Sequence, residues 1–190
     1  MKLKVILFCI LSYFLVNVNE GQVKVSGVSV PANYAMDGKS LVLNGAGVRE
    51  KYFMDLYVCA LYLTNKSQDA KAIVNADELM AMKIYIVSGL ITKEKMEEAI
   101  REGFKKSTGG KMEAYKPKID AFVKAISEDI KKGVVYDITY NPDQKKIKVY
   151  RDKTLKTEIE GLEFKRILLS IWLGGDPVDG DLKESLLGID

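Results

Sequence analysis

One stretch constrains this chain more than any other. From Lys51 to Leu63 apolar side chains occupy both faces of an alternating pattern. Phe53, Tyr57, Cys59, Leu61 and Leu63 fall on one side, and Met54, Leu56, Val58, Ala60 and Tyr62 on the other. A strand that is apolar on both sides belongs at the centre of a sheet with material above and below it. The rest of the chain must supply both covers.

Val23, Val25, Val28 and Val30 suggest a strand broken near Gly27, and residues 31–39 a loop with a turn at Asp37-Gly38. Ser40 to Asn44 forms a short strand, and Gly45-Ala46-Gly47 reads as a tight turn leading into the central strand. Leu79 to Ser88 alternates Met80, Met82, Ile84 and Ile86 as a further strand. Thr92 is placed to cap a helix whose inward face is Met96, Ala99, Ile100, Gly103 and Phe104, closed by Gly109-Gly110. A second helix follows Pro117, with Ile119, Phe122, Val123, Ile126 and Ile130 inward and Gly133 as its stop. Alternation then returns in three short strands: Tyr136-Ile138-Tyr140, Ile147-Val149 and Leu155-Thr157-Ile159. Two short helices, Phe164 to Leu173 and Leu182 to Leu187, end the chain. Strands, two helices, strands and helices indicate an α+β fold, an antiparallel sheet with a layer of helices on one face.

Composition narrows the chemistry. With no histidine among 190 residues, catalysis by Ser-His-Asp or Cys-His, imidazole ligation and a histidine pH switch are all excluded. Two cysteines, Cys9 and Cys59, cannot build a thiolate zinc cage, so no metal site and no cofactor is expected. The 29 basic and 26 acidic residues nearly balance, which gives no electrostatic footprint for nucleic acid. The start, Met1-Lys2-Leu3-Lys4 followed by an apolar run from Val5 to Val16, has the pattern of a secretory signal. Residues 1–21 are therefore expected to be a signal peptide and 22–190 one domain. After cleavage no membrane span is expected, and the location would be secreted or periplasmic; the alternative is that the run stays as an uncleaved N-terminal anchor. Cys59 would then be a lone thiol in an oxidising compartment, where it should be buried.

Two segments carry more than generic patterning. One is Asn44-Gly45-Ala46-Gly47-Val48-Arg49, running into a strand that ends Ala60-Leu61-Tyr62-Leu63. The other is Phe164-Lys165-Arg166-Ile167-Leu168-Leu169-Ser170-Ile171-Trp172-Leu173-Gly174, followed by Pro177 and by Asp181 to Gly188. In this order, around a two-helix middle, they resemble the chalcone isomerase-like family, most closely its bacterial secreted branch. The resemblance covers about Val23 to Ile189.

That resemblance implies an open sandwich with a ligand cleft between sheet and helices, and a choice of two activities. Chalcone isomerases cyclise a chalcone to a flavanone, while relatives of the same fold hold a fatty acid. Arg49 matches the family arginine after Gly-Ala-Gly. A guanidinium on a central strand needs a counter-charge, either an incoming anion or an internal carboxylate such as Asp55 or Glu50. Tyr57 stands where the isomerases have a threonine, and the fatty-acid-binding relatives pair a tyrosine with the arginine. Residues 86–114 contain neither the tyrosine nor the asparagine of the isomerases, and Ile171 lies near their second threonine. Of the catalytic set only the arginine carries over. The expected function is non-catalytic binding of a fatty acid or similar amphipathic carboxylate by Arg49 and Tyr57, with no catalytic residue assigned. The alternative is an isomerase, an intramolecular lyase acting on a conjugated ketone.

Overall fold

The computed structural model describes residues 21–189. The expected signal segment lies outside the described residues but for Gly21. Along the chain come β1 (Gln22–Val25), β2 (Val28–Pro31), β3 (Asn33–Met36), β4 (Lys39–Lys51), β5 (Met54–Leu63), α1 (Ala70–Asn75), β6 (Met80–Ile86), α2 (Lys93–Ser107) and α3 (Lys116–Ser127). They are followed by β7 (Val135–Asn141), β8 (Lys146–Arg151), β9 (Thr154–Glu160), α4 (Leu162–Leu173) and α5 (Gly180–Leu187). β3 to β9 make one seven-stranded antiparallel sheet in which every strand pairs with its neighbour in sequence, and β1 and β2 form a separate hairpin.

The two apolar faces of β5 lead to two cores. Cys59, Leu61 and Leu63 join Met82, Ile84, Phe104, Phe122, Leu168 and Trp172 in the larger core between sheet and helices. Val58, Ala60 and Tyr62 join Val30, Leu41 and Leu43 in a smaller core on the opposite face. The β1–β2 hairpin covers that second face, and the Tyr62 hydroxyl donates to the Pro31 carbonyl (2.9 Å). The sheet curls: Asp37, just past the edge strand β3, accepts from Asn141 of β7 (2.7 Å). Cys59 is fully buried, and burial pushes its pKa up.

Three local expectations are corrected. Residues 33–36 are not loop but the edge strand β3, paired with β4. The segment near Gly27 is the turn of a hairpin, not a break in one strand. Gly45-Ala46-Gly47 is not a turn at all. It lies inside the thirteen-residue β4, and the chain reverses later, at Tyr52-Phe53. The glycines answer to a distant neighbour instead. A Cβ on Gly45 would stand 2.0 Å from the Ser185 carbonyl oxygen, and one on Gly47 2.5 Å from the Ser185 Cβ. They let α5 lie directly on the backbone of β4. A bulge at Asn44 fixes the contact. Its side-chain amide donates to the carbonyls of Ser67 (2.9 Å) and Leu186 (2.8 Å), and its oxygen accepts from the Ser67 N–H (2.7 Å). This packing sets the height of α5 above the sheet, and with it the position of the site.

Candidate functional site

Arg49 and Tyr57 are directly opposite each other in the β4–β5 register. Antiparallel partners share a face, and Tyr57 packs against the helix-side core. Both side chains therefore belong to the layer between sheet and helices. The irregularity between Arg49 and Glu50 sits at this pair, a common device for re-aiming a side chain.

The helices bring two more groups. Asp179 is the N-cap of α5; its Oδ1 accepts from the Leu182 N–H (3.0 Å) and its Oδ2 from Arg49 Nη1 (2.8 Å). The two side chains are 18% and 13% exposed, so the ion pair is largely enclosed. Arg49 Nη1 also donates to the Glu50 carbonyl. Neither Asp55 nor the Glu50 carboxylate serves as the internal counter-charge; Asp55 accepts from Ser26 instead. Trp172 of α4 donates from Nε1 to the Tyr57 hydroxyl oxygen (3.1 Å). Burial, ahead of every charge nearby, pushes the Tyr57 phenol up, so it stays protonated at any physiological pH.

A count of donors shows what the arrangement can do. A guanidinium carries five N–H groups, two of them on Nη1. Both Nη1 protons have acceptors, Glu50 and Asp179. Nη2 and Nε have no hydrogen-bond partner among the described residues, and the Tyr57 hydroxyl accepts one bond while donating none there. Arg49 and Tyr57 thus hold donor capacity beyond what their neighbours use, at paired positions of neighbouring strands. One edge of a guanidinium and a phenol suit a carboxylate.

The family follows from most of the chain's length. A model of the chalcone isomerase-like family matches residues 22–188. The chain belongs to the chalcone isomerase-like family. A crystal structure of a fatty-acid binding protein of Arabidopsis thaliana is similar over 88% of this chain and 96% of that one, with a TM-score of 0.70 at 18% sequence identity. At that identity the likeness speaks for the fold. A comparison with curated protein sequences finds no match.

In this member of the chalcone isomerase-like family the void beside α4 in that layer is small. The void between the sheet and α4, lined by Leu61, Met80, Met82, Ile138, Leu168 and Leu169 among others, holds about 10 Å³. That is room for at most one water. An acyl chain entering there must part α4 from the sheet or displace side chains.

A second enclosed cation borders the void. Lys165 of α4 is 2% exposed, and its ammonium donates to the carbonyls of Ile73 (3.0 Å), Val74 (3.0 Å) and Ala76 (2.7 Å) at the end of α1. Burial, helped by neighbouring Arg166, lowers its pKa to about 8. In the sequence Lys165 and Trp172 stand out only as members of the Phe164–Gly174 motif. Asp179 was missed as a partner, although an aspartate three residues before Leu182 at a helix start is itself a readable capping signal.

Proposed function

We propose that this chain is a non-catalytic binder of a fatty acid or similar amphipathic carboxylate, gripped at its polar end by Arg49 and Tyr57. The observation that carries the reading is the surplus of hydrogen-bond donors on two facing residues of a half-buried strand pair. The fatty-acid binding activity named for the similar Arabidopsis thaliana protein supports it. So does Tyr57, a donor that stays protonated, at the position where isomerases have threonine. An acyl chain of about fourteen methylenes contributes on the order of 11 kcal/mol gross at ~0.8 kcal/mol each. Association and the parting of α4 from the sheet take back a large share. The carboxylate contacts mainly fix orientation.

The experiment is native mass spectrometry of the protein with a long-chain fatty acid, alongside a binding titration. A 1:1 complex is expected, with affinity falling at least tenfold in Arg49→Ala. No complex with wild type, or equal affinity in the variant, refutes the reading. The isomerase alternative retains only the arginine of its catalytic set. Turnover of a chalcone that is lost in Arg49→Ala would restore it. A second reading rests on the Asp179 pair and the 10 Å³ void: a cleft closed by the protein's own side chains, serving protein contacts. It predicts that no carboxylate binds even when Asp179 is neutralised.

The chain's place in the bacterial secreted branch of the family is part of the same proposal, carried by the apolar run Val5 to Val16. Mass measurement of the exported protein tests it: loss of about the first twenty-one residues supports secretion, an intact N-terminus contradicts cleavage.

A further inference from the structure

The sheet and its covering hairpin make four reversals of the same kind, and one breaks the rule the others keep. In each, strand partners flank a two-residue turn: Val25 and Val28, Met36 and Lys39, Lys51 and Met54, Arg151 and Thr154. Both turn residues have positive φ in all four. Such turns favour Gly, Asn and Asp, because a side chain at positive φ is strained and a bulky one most of all. Three comply wholly or in part: Ser26-Gly27, Asp37-Gly38 and Asp152-Lys153. The fourth is Tyr52-Phe53, at φ 53° and 62°.

The strain gains nothing inside the fold. Phe53 is 98% exposed, Tyr52 77% and Met54 40%. A neighbouring loop carries a further exposed apolar side chain. The N–H groups of Val87 and Ser88 both donate to the Leu56 carbonyl (3.2 Å), which sets the β6–α2 connection beside the start of β5. Leu90 in that connection is 53% exposed. Two ammonium groups border the patch: Lys51 Nζ lies 5.4 Å from the Tyr52 ring centroid, and Lys95 Nζ 3.4 Å from the Leu90 carbonyl. Glu50 and Asp55 face each other one pair behind the tip.

We infer that the β4–β5 tip docks on the surface of a bilayer containing anionic phospholipid, with Phe53 and Tyr52 at headgroup depth and Lys51 and Lys95 reaching the phosphates. Aromatic rings with flanking lysines are the side chains that settle at a membrane interface. A protein partner fits the tip less well. An aromatic side chain offers at most ~250 Å², and a few such groups fall short of the ~800 Å² per partner of a stable protein interface. A narrow knob entering a soft surface needs no matching cavity. Among the described residues no helix is long and apolar enough to cross a membrane, so the attachment meant is peripheral. The inference stands whether or not Arg49 holds a carboxylate. The geometry still relates the two, since the tip continues the strands that carry Arg49 and Tyr57.

The test uses the full chain with vesicles of phosphatidylcholine and phosphatidylglycerol, 3:1, the phosphatidylcholine brominated on its acyl chains. An indole introduced by Phe53→Trp is expected to shift to shorter wavelength and be quenched, and one introduced by Lys153→Trp at the matching turn is not. The double exchange Tyr52→Asn with Phe53→Gly installs the preferred turn residues. It should weaken vesicle binding at least tenfold while the melting temperature holds or rises, and leave fatty-acid affinity in solution unchanged. Equal quenching at the two turns, no quenching at either, or undiminished vesicle binding by the double variant overturns the inference. Loss of self-association in that variant, with vesicle binding intact, also overturns it and assigns the tip to a second copy of the chain.

Discussion

Arg49 and Lys165 are both cations enclosed on the helix side of the same sheet, and they are satisfied in different ways. Lys165 has three N–H groups and three backbone carbonyls to receive them. The carbonyls belong to the end of α1, where a helix leaves its last carbonyls unpaired and its dipole is negative. Donors and acceptors match in number. Arg49 meets one carboxylate that already caps another helix, and it keeps Nη2 and Nε unused among the described residues. An enclosed charge with a complete set of fixed acceptors is structural. One with spare donors beside a single counter-charge that is shared with a helix cap is equipped to receive an outside anion. Burial alone does not separate the two; the count of acceptors does.

The largest expected effect follows from the closed set. Lys165→Met strands the α1 carbonyls and should lower the unfolding free energy by about 2 kcal/mol at neutral pH, read from urea denaturation. The loss should depend on pH. Lys165 is held to about 8 in the folded protein, below the ordinary lysine value of about 10.4. Below pH 8 both states carry the proton, so the difference between wild type and variant is constant. Between about 8 and 10.4 the unfolded chain binds more protons than the folded one, so wild-type stability rises with pH. The gap to Lys165→Met should therefore widen across that window. A flat difference would mean that the ammonium is not desolvated. A smaller effect belongs to the open set. Tyr57→Phe removes one spare donor and should lower carboxylate affinity roughly fivefold, about 1 kcal/mol. Stability should fall by no more than about 1 kcal/mol, as Trp172 loses its acceptor. Unchanged affinity would take Tyr57 out of the site and leave it as a core residue bonded to Trp172.

Much of this fold was legible because its signals are local. The double-faced β5, the alternation of β6 to β9 and the amphipathic faces of α2, α3 and α4 are periodicities of neighbouring residues. What escaped depends on distant ones. The glycines at 45 and 47 look like a turn, yet the reason for them is Ser185 on α5. The real turn escaped because Tyr52 and Phe53 are not turn-forming residues and read as strand. β3 is four residues long and gains its identity only by pairing with β4. α1 is six residues long with Ile73 as its one buried side chain, too short for a period to register. At the site, Arg49 and Tyr57 were readable from the motif and the strand pattern. Asp179 was not paired with Arg49 because 130 residues separate them, and the capping signal at Asp179 says nothing about what its second oxygen meets.

Asp179→Asn is the sharpest single change, because asparagine caps a helix as well as aspartate does while the negative charge beside Arg49 disappears. Titration of this variant and of wild type with a long-chain fatty acid compares the guanidinium with and without its internal counter-charge. The expected result is binding by both, with the variant several-fold tighter, since a nearby carboxylate repels an incoming one by about 1 kcal/mol at a partly exposed site. Absence of binding in both proteins, with the fold intact, would show that Arg49 serves the architecture alone.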